Sequence, residues 1–190
     1  MTQFQRASWL AVLIVTLVAF GLVVPRLPAW GDETVALVAD TEVAMATASV
    51  VIPAGWDLDI AASSQRRPVA SRGAVEVSTT DAVWLGDTAA LLANVSRLLF
   101  DGEAVIPDVA SQADAPAGDA SSRDVWQLTP AAAASPHAPV RVDVIREGQG
   151  VVLVTARGPA SDVTAASDAI DAISDSVQLD LSTLDLEVRG

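Results

Sequence analysis

An uninterrupted apolar segment near the start of the chain limits what the whole protein can be. Residues 7–24 form a run of 18 residues without a charged side chain. As an α-helix this run is about 27 Å long, which matches the hydrocarbon thickness of a bilayer. Its apolar residues lie on all sides of such a helix, whereas a helix at a protein surface keeps one polar face. The segment therefore predicts a single transmembrane helix.

Charged and aromatic residues on either side of this segment indicate its orientation. Trp9 and Trp30 lie near its ends, where indole rings favour the headgroup region of a bilayer. Arg6 precedes the run, and every acidic residue of the chain follows it. These features predict a cytoplasmic stub at residues 1–6, a plasma-membrane span at residues 7–24 and a remainder that lies outside the cytoplasm.

A cleaved signal peptide is the competing interpretation, and it predicts a secreted protein. Signal peptides have a shorter apolar run that ends at a small-x-small cleavage site. Here the run is followed by a Pro-Arg-Leu-Pro sequence at residues 25–28, and the nearest Ala-x-Ala patterns start at Ala44 and Ala46. Both observations favour an uncleaved transmembrane helix that anchors the protein in the membrane.

The composition excludes several kinds of chemistry. The chain of 190 residues has no Cys, one His and 11 basic residues, all of them Arg. Without Lys or Cys it lacks a Schiff-base amine, a P-loop lysine, a thiol nucleophile, Cys metal ligands and disulfides. The net charge of −13 repels nucleic acid, and it attracts basic partners or divalent cations. No cofactor is predicted.

Beyond the apolar segment, the sequence predicts a linker and one folded domain. Residues 25–46 contain two prolines and show no sustained period, which is typical of a stalk, although the apolar patch at residues 35–38 could add an edge strand. An extracytoplasmic domain is then predicted at residues 47–190. Within it, residues 103–122 contain acidic residues and no basic one, which predicts a mobile acidic loop.

Two kinds of hydrophobic period alternate within this domain. A period of two predicts strands, including a hairpin across the Pro-Ala-Gly turn at residues 53–55, at 48–52, 56–60, 73–79, 123–129, 140–147 and 151–157. A helical period predicts helices at 87–100, capped by Asp87, and at 161–177, capped by Ser161. The predicted fold class is α+β, a largely antiparallel sheet covered by two amphipathic helices and preceded by one N-terminal transmembrane helix.

The order of these elements resembles that of PsbP-like domains, including the LpqN-like exported proteins of mycobacteria. The likeness rests on the Pro-Ala-Gly-Trp turn at residues 53–56, the strand hairpin, and the C-terminal helix that ends in Ile-Ser-Asp-Ser-Val at residues 173–177. It covers about residues 47–178. Those exported relatives carry a lipobox Cys, which this chain lacks. The resemblance implies a non-enzymatic adaptor or ligand-binding module, and it implies no catalytic residue.

Polar residues that could support catalysis or metal binding have simpler explanations. His137 lies between two prolines, and no carboxylate or serine nearby indicates a triad. Asp57 and Asp59 share one side of a predicted strand, which is typical of a solvated face. The same holds for a row of acidic residues opposite the apolar stripe of the second helix, namely Asp168, Asp171 and Asp175. No catalytic residue and no metal site are predicted.

Tryptophans provide the remaining candidate site. Trp84 and Trp126 could line a pocket for an apolar or glycan ligand, because an indole offers both a flat face and a hydrogen-bond donor. Together with Trp56, they are also the bulky core residues of a domain without Tyr. The glycine pair at residues 148–150 precedes a strand, which predicts a hairpin turn and not a phosphate loop.

Two functions from different classes follow from these patterns. The first is a single-pass, membrane-anchored accessory or interaction protein of the bacterial cell envelope, which binds an envelope protein through a sheet edge or the acidic loop. The second is a small-molecule or lipid-binding module, or a carboxylate-based hydrolase with two facing carboxyl groups. A filled core favours the first, and a closed apolar pocket at the tryptophans favours the second.

Overall fold

The computed structural model describes residues 34–105, 123–131 and 138–180. The predicted membrane span, most of the predicted acidic loop, His137 and residues 181–190 lie outside the described residues. Within the described ranges, no helix combines the length and the apolar character that crossing a membrane requires.

The described part of the chain is an α+β fold built on antiparallel strands. In chain order the strands are β1 (Thr34–Ala36), β2 (Thr41–Ala44), β3 (Ala48–Ile52), β4 (Asp57–Asp59), β5 (Val69–Arg72), β6 (Val75–Val83), β7 (Ala104–Val105), β8 (Arg123–Pro130), β9 (Arg141–Glu147), β10 (Gly150–Arg157) and β11 (Gln178–Leu179). Eight of them form one sheet in the order β1-β4-β5-β6-β10-β9-β8-β7, and β11-β3-β2 form a second, smaller sheet. Every pairing in both sheets is antiparallel. The predicted antiparallel sheet is thereby confirmed.

Three helices accompany the sheets in the described residues: α1 (Thr88–Leu99), α2 (Ala160–Ala165) and α3 (Ser167–Ser176). The first was predicted, and its cap is confirmed because Asp87 Oδ1 accepts a hydrogen bond of 2.7 Å from the Ala90 N–H. The prediction of one continuous second helix was wrong. Its backbone leaves helical geometry at Ala166, where ψ is 5°.

The start of that second helical region also differs from the prediction. Pro159, and not Ser161, precedes the first turn, and its carbonyl accepts hydrogen bonds from the Asp162 and Val163 N–H groups. Ser161 lies one residue inside α2, too late to cap its first N–H groups. The apolar stripe is still buried on both sides of the break, at Val163 and at Ile170.

Apolar side chains cover both faces of the large sheet. On the face covered by α1, here called the α1 face, the buried cluster consists of Leu91, Leu92, Val95, Phe100, Trp126, Leu128, Val142, Val144 and Val151. On the opposite face, here called the α3 face, α2, α3 and the small sheet contribute a larger cluster that includes Val50, Ile52, Trp56, Val77, Ile145, Val152, Val154, Ile170 and Ile173. Both sides of the central strand β10 are buried, and its sequence is accordingly a continuous apolar run from Val151 to Val154.

The segment predicted as a stalk belongs partly to the fold. Residues 34–46 contain β1, which pairs with β4, and β2, which pairs with β3. Leu37 and Met45 are buried in the cluster on the α3 face. The folded part therefore already includes Thr34, and the predicted boundary at Thr47 was wrong. These two strands are short and irregularly spaced, so they left no clear period in the sequence.

The hairpin predicted across residues 48–60 was also wrong. β3 lies in the small sheet and β4 in the large one, so the turn at residues 53–56 carries the chain from one sheet to the other. Leu37 holds this crossing, because its N–H donates to the Trp56 carbonyl and its own carbonyl accepts from the Gly55 N–H, both at 2.8 Å. The Trp56 side chain is fully buried beside it. Alternation alone could not show that the two strands have different partners.

Candidate functional site

The two tryptophans of the predicted pocket are associated with the same cluster. Trp126 lies on β8 with 4% of its surface exposed, and Trp84 follows β6 and is half-buried at the margin of the α1 face. The Trp84 indole N–H donates to the Asp87 carbonyl at 3.0 Å. A Cβ added to Gly86 would lie 2.9 Å from that indole nitrogen. Trp84 is therefore held by the loop before α1, and Gly86 makes room for its ring.

Trp56 is separated from the other two by the sheet. It lies in the cluster on the α3 face, with none of its surface exposed. Within the described residues, the indole N–H groups of Trp56 and Trp126 have no hydrogen-bond acceptor. Both rings are thus packed as large apolar groups, at the cost of an unsatisfied donor each.

The strand carboxylates do not gather into a metal site. Asp57 is exposed on β4, and Asp59 is occupied in a turn, where its Oδ1 accepts from the Ala62 N–H at 2.8 Å. Within the described ranges, no group of three or more His, Asp or Glu side chains is arranged to hold a metal ion. The two residues behave as parts of a solvated strand and turn.

One residue of the acidic row on the second helical region has a partner. Asp168, Asp171 and Asp175 are all exposed, as the amphipathic pattern predicts. Asp171, however, forms an ion pair with the Arg141 guanidinium from β9. The row is therefore more than a solvated face, because one carboxylate links α3 to the sheet.

A buried ionic cluster on the α3 face was missed by the sequence analysis. Asp143 on β9 is 1% exposed and accepts from Arg141 Nε at 2.8 Å and from Arg141 Nη2 at 2.6 Å. The Ser174 hydroxyl of α3 donates to the same carboxylate at 2.7 Å. Arg123 of β8 then donates to the Ser174 and Val177 carbonyls at the end of α3. These contacts attach α3 to β8 and β9.

The charge of Arg141 is maintained by its two carboxylate partners. Partial burial acts to lower the pKa of Arg141, because it removes water from the charged guanidinium. The hydrogen bonds and charges of Asp143 and Asp171 outweigh burial, so the pKa of Arg141 lies above its ordinary value. The guanidinium is thus committed to internal carboxylates and is poorly placed to bind an external anion.

A second buried carboxylate joins the two sheets. Asp81 on β6 is 4% exposed, and its Oδ2 accepts from the Thr47 backbone N–H at 2.6 Å and from the Thr47 hydroxyl at 2.8 Å. Its Oδ1 has no partner among the described residues. The Thr47 carbonyl in turn accepts from the Asp180 N–H at 2.9 Å, next to β11. Asp81 therefore attaches the turn between β2 and β3 of the small sheet to β6 of the large sheet.

The sequence contained a weak signal for both buried carboxylates. Asp81 and Asp143 each lie in a stretch of strand that is otherwise apolar or hydroxyl-bearing, at residues 77–82 and 142–145. A charged residue in a strand with two buried faces requires a buried partner. The partners were not visible in the sequence, since Ser174 lies 31 residues from Asp143 and Thr47 lies 34 residues from Asp81.

The edge of the large sheet at β8 is the most accessible feature that could bind another chain. β7 has only two residues, and it pairs with the last part of β8, at Thr129 and Pro130. From Arg123 to Leu128, β8 pairs with β9 on one side only, as far as the described residues show. This free part of β8 is called the β8 edge below.

The register shows which backbone groups of the β8 edge point outward. The Ala131 N–H donates to the Glu103 carbonyl at 2.7 Å, on the side where β7 pairs with Thr129. In an antiparallel ladder, successive residues direct their N–H and C=O groups alternately to the two neighbouring strands. The backbone N–H and C=O groups of the odd-numbered residues of β8 therefore point away from β9. At Val125 and Gln127 these outward groups have no strand beside them in the described part of the chain.

The β8 edge begins with two charged residues, Arg123 and Asp124, and is uncharged from Val125 onward. Val125 is 43% exposed and lies on the α3 face, because it is paired with Ile145 of that cluster. Val105, at the end of β7, lies on the same face through its pairing with Thr129 and is 54% exposed. From Val125 to Thr129 the strand carries no charge. This part of the strand lacks the charged side chains that usually discourage strand pairing.

Comparisons with known proteins found no relative of this chain. No family model, no curated protein and no solved structure matches it. The function is therefore argued from the residues and the geometry alone.

Proposed function

We propose that this chain is a single-pass, membrane-anchored interaction module that lies outside the cytoplasm of a bacterial cell and has no catalytic activity of its own. The observation that carries the proposal is the β8 edge, whose outward strand groups at Val125 and Gln127 have no strand beside them among the described residues, on a sheet whose two faces are already covered. Sheet edges are common sites for binding extended segments of other proteins.

The internal use of the charged groups supports a binding function over a hydrolase. Asp143 is held by Arg141 and Ser174, and Asp81 is held by Thr47. Two catalytic carboxyl groups would have to face one cleft at about 5 to 9.5 Å from each other. Asp59 instead serves in a turn, Asp143 and Asp171 in ion pairs, and Asp81 in linking the two sheets.

The anchor is the second part of the proposal. It rests on the apolar run at residues 7–24 and on the absence of acidic residues before it. Tethering keeps an interaction module close to membrane partners and raises its effective concentration there. The PsbP-like resemblance, with its expectation of an adaptor, is kept as part of this proposal.

Cysteine labelling tests the location, because the natural chain has no Cys. We expect Ala93→Cys, at an exposed position on α1, to react with a membrane-impermeant maleimide in intact cells. The matched variant Thr2→Cys should react only after lysis, and both should remain in membranes after alkaline extraction. Labelling of Thr2→Cys alone in intact cells, or recovery of the chain in cytosol or culture medium, would contradict the proposal.

A small-molecule-binding function is the second candidate, and it is favoured by one observation. Trp126 has a buried N–H without an acceptor in the described residues, and half-buried Trp84 packs against the same cluster. An uncharged naphthylamine probe should then gain fluorescence with the natural chain and lose the gain with Trp84→Ala. An equal response from both chains would remove this candidate.

A further inference from the structure

We propose that one end of the large sheet lies against the phospholipid surface of the anchoring membrane, with the Leu85 and Ile60 side chains inserted among the lipid headgroups. This inference rests on the anchor of the proposed function, and it goes beyond that function by assigning a membrane contact to the folded domain itself. The end concerned is the one at which β1 begins, at Thr34, and it is called the Thr34 end below.

The strand register places two loops at the Thr34 end. Thr34 on β1 pairs with Asp59, the last residue of β4, so the connection from β4 to β5 begins beside it. β5 is antiparallel to β4 and starts opposite Ser78, and β6 continues from there toward the same end as far as Val83. The loop that follows β6, at residues 84–87, therefore also lies at the Thr34 end.

Each of these two loops exposes a large apolar side chain. Leu85 is 74% exposed and Ile60 is 46% exposed. Next to Leu85, the half-buried Trp84 ring is held in place because its indole N–H donates to the Asp87 carbonyl. An aliphatic side chain is stabilised when it moves from water to the boundary between headgroups and acyl chains, and an indole favours the same boundary. The Thr34 end therefore suits a lipid interface.

The length of chain before β1 limits how far the Thr34 end can move from the lipid. Nine residues separate the predicted span, which ends at Val24, from Thr34. Fully extended, they reach at most about 32 Å. A tether of this length raises the local concentration of lipid most for groups near its point of attachment. Leu85 and Ile60 are loop residues at that end of the sheet, so the tether favours their insertion.

The charged groups of the Thr34 end are compatible with a lipid surface. The connection from β4 to β5, at residues 60–68, has two cationic residues, Arg66 and Arg67, and no acidic one. Arg67 is exposed, and a guanidinium matches the geometry of phosphate oxygens. The carboxylates of Asp59 and Asp87 accept hydrogen bonds from nearby backbone N–H groups. Apolar insertion and phosphate contact can therefore occur on the same loop.

An exposed leucine away from the Thr34 end provides a matched control. Leu98 is 63% exposed and lies near the C-terminal end of α1, about 15 Å along the helix from Thr88. α1 leads to β7, which pairs with the last residues of β8. In the register across β9, β10 and β6, those residues lie farthest from Val83, so α1 runs away from the Thr34 end. Leu85 and Leu98 thus differ in location and not in residue type.

Fluorescence quenching tests the contact in the full chain, reconstituted into phosphatidylcholine vesicles. Because the natural chain has no Cys, Leu85→Cys, Ile60→Cys and Leu98→Cys can each carry one environment-sensitive NBD fluorophore. The quencher is a phosphatidylcholine with a nitroxide near its headgroup, present in both leaflets so that the orientation of the span does not matter. We expect quenching at residues 60 and 85 to be at least about twofold stronger than at residue 98, because only inserted side chains reach the headgroup and acyl boundary.

A separate reporter tests whether the apolar side chains cause the contact. Gln149→Cys places the fluorophore in the exposed turn between β9 and β10, which lies at the Thr34 end because Gly150 pairs with Val83. Adding Leu85→Asp should weaken quenching of this reporter about twofold or more, since a carboxylate is costly to insert. Adding Leu98→Asp, the matched change, should leave it unaltered. Circular dichroism and the urea midpoint verify that each variant is folded.

The outcomes separate this inference from the proposed function. Equal quenching at residues 60, 85 and 98, no quenching at residues 60 and 85, or an unchanged reporter in Leu85→Asp would overturn the lipid contact. If the chain resists alkaline extraction and residues 60 and 85 are not quenched, the anchor stands and the lipid contact is wrong. If alkaline extraction releases the chain from the membrane, the anchor of the proposed function is itself wrong.

Discussion

The two faces of the large sheet are built by different means. The α1 face is covered by one helix, and its buried cluster consists of apolar side chains from α1 and from β8, β9 and β10. The α3 face is covered by two helices and the small sheet, and it contains both buried carboxylates, Asp81 and Asp143. On the α1 face, a directional side-chain contact joins the helix to the sheet, where Arg146 of β9 donates to the Thr88 hydroxyl at 3.0 Å. Several elements on one face need directional contacts to fix their relative positions.

This difference indicates which contacts determine the arrangement of each face. Apolar burial is non-directional and tolerates small shifts of a helix. A buried carboxylate is costly unless its partners stay in place. On the α3 face, Asp143 therefore fixes α3 on β9, and Asp81 fixes the turn at Thr47. The predictions below test this contrast, beginning with the largest effect.

Removing the carboxylate of the ionic cluster should cause the largest loss. In Asp143→Ala, the Arg141 guanidinium and the Ser174 hydroxyl lose their common partner in a site with little water. We expect the free energy of unfolding to fall by about 3–5 kcal/mol, the range for breaking one side of a buried pair. Urea denaturation followed by circular dichroism measures it.

A double variant separates the charge from the packing at this site. Arg141→Leu combined with Asp143→Leu removes both charges and keeps apolar volume, so the loss should be clearly smaller than for Asp143→Ala. Asp171→Asn, at a largely exposed carboxylate, should cost less than about 1 kcal/mol. If Asp143→Ala were no worse than Asp171→Asn, the cluster would not fix α3.

Truncating a buried leucine on the α1 face provides the apolar test that corresponds to Asp143→Ala. Leu92 is fully buried between α1 and the sheet. Leu92→Ala should lower the free energy of unfolding by about 3 kcal/mol through lost burial and the cavity left behind. The contrast between faces predicts that Leu92→Met is nearly neutral, whereas Asp143→Asn is not. Comparable losses for these two conservative changes would contradict the contrast.

The link between the two sheets should have an intermediate effect. Thr47→Val removes the hydroxyl that donates to Asp81 and leaves the backbone N–H contact intact. We expect a loss of about 1–2 kcal/mol, since one hydrogen bond to a buried charged group is removed. Faster amide exchange in β2 and β3 than in β9 and β10 would locate the effect at the small sheet. Uniform exchange across both sheets would argue against a local link.

The helix cap should have the smallest effect. Asp87→Ala removes the acceptor for the Ala90 N–H at the start of α1 and should cost about 1 kcal/mol. Asp87→Ser can still cap the helix and should restore most of the stability. The same denaturation assay measures both. A loss as large as that of Leu92→Ala would show that the cap does more than satisfy the first turn.

The raised pKa of Arg141 determines the pH range over which this residue stabilises the fold. Its pKa is raised in the folded chain, so the stability it provides is present below the ordinary guanidinium range and is lost only when the pH rises beyond it. Across the neutral and mildly alkaline range, Arg141 therefore adds no pH slope to the free energy of unfolding.

The sequence predicted the α1 face better than the α3 face. Asp87, the stripe of Leu91 and Val95, and the hairpin of β9 and β10 were all found from residues close together in the chain. Leu98 was the exception, since it lies on the predicted stripe and is 63% exposed.

The errors share one physical cause. The assignment of residues 34–46 as a stalk, the hairpin across residues 53–55 and the unbroken second helix each concern segments whose partners lie far along the chain. β1 pairs with β4, and β3 pairs with β2 and β11, and none of these choices follows from local alternation. Trp84 and Trp126 belong to the cluster on the α1 face and Trp56 to the cluster on the α3 face, a separation that the sequence could not show; the pocket at Trp84 and Trp126 stays a prediction.

The sequence by itself determined the types of element, the capping of α1, the antiparallel character of the sheet and the strongly acidic charge, because each depends on neighbouring residues or on simple sums. Only the tertiary structure decided which strands pair and which carboxylates are buried. Those features depend on contacts between residues that are distant in the chain, and the period of a sequence does not carry that information.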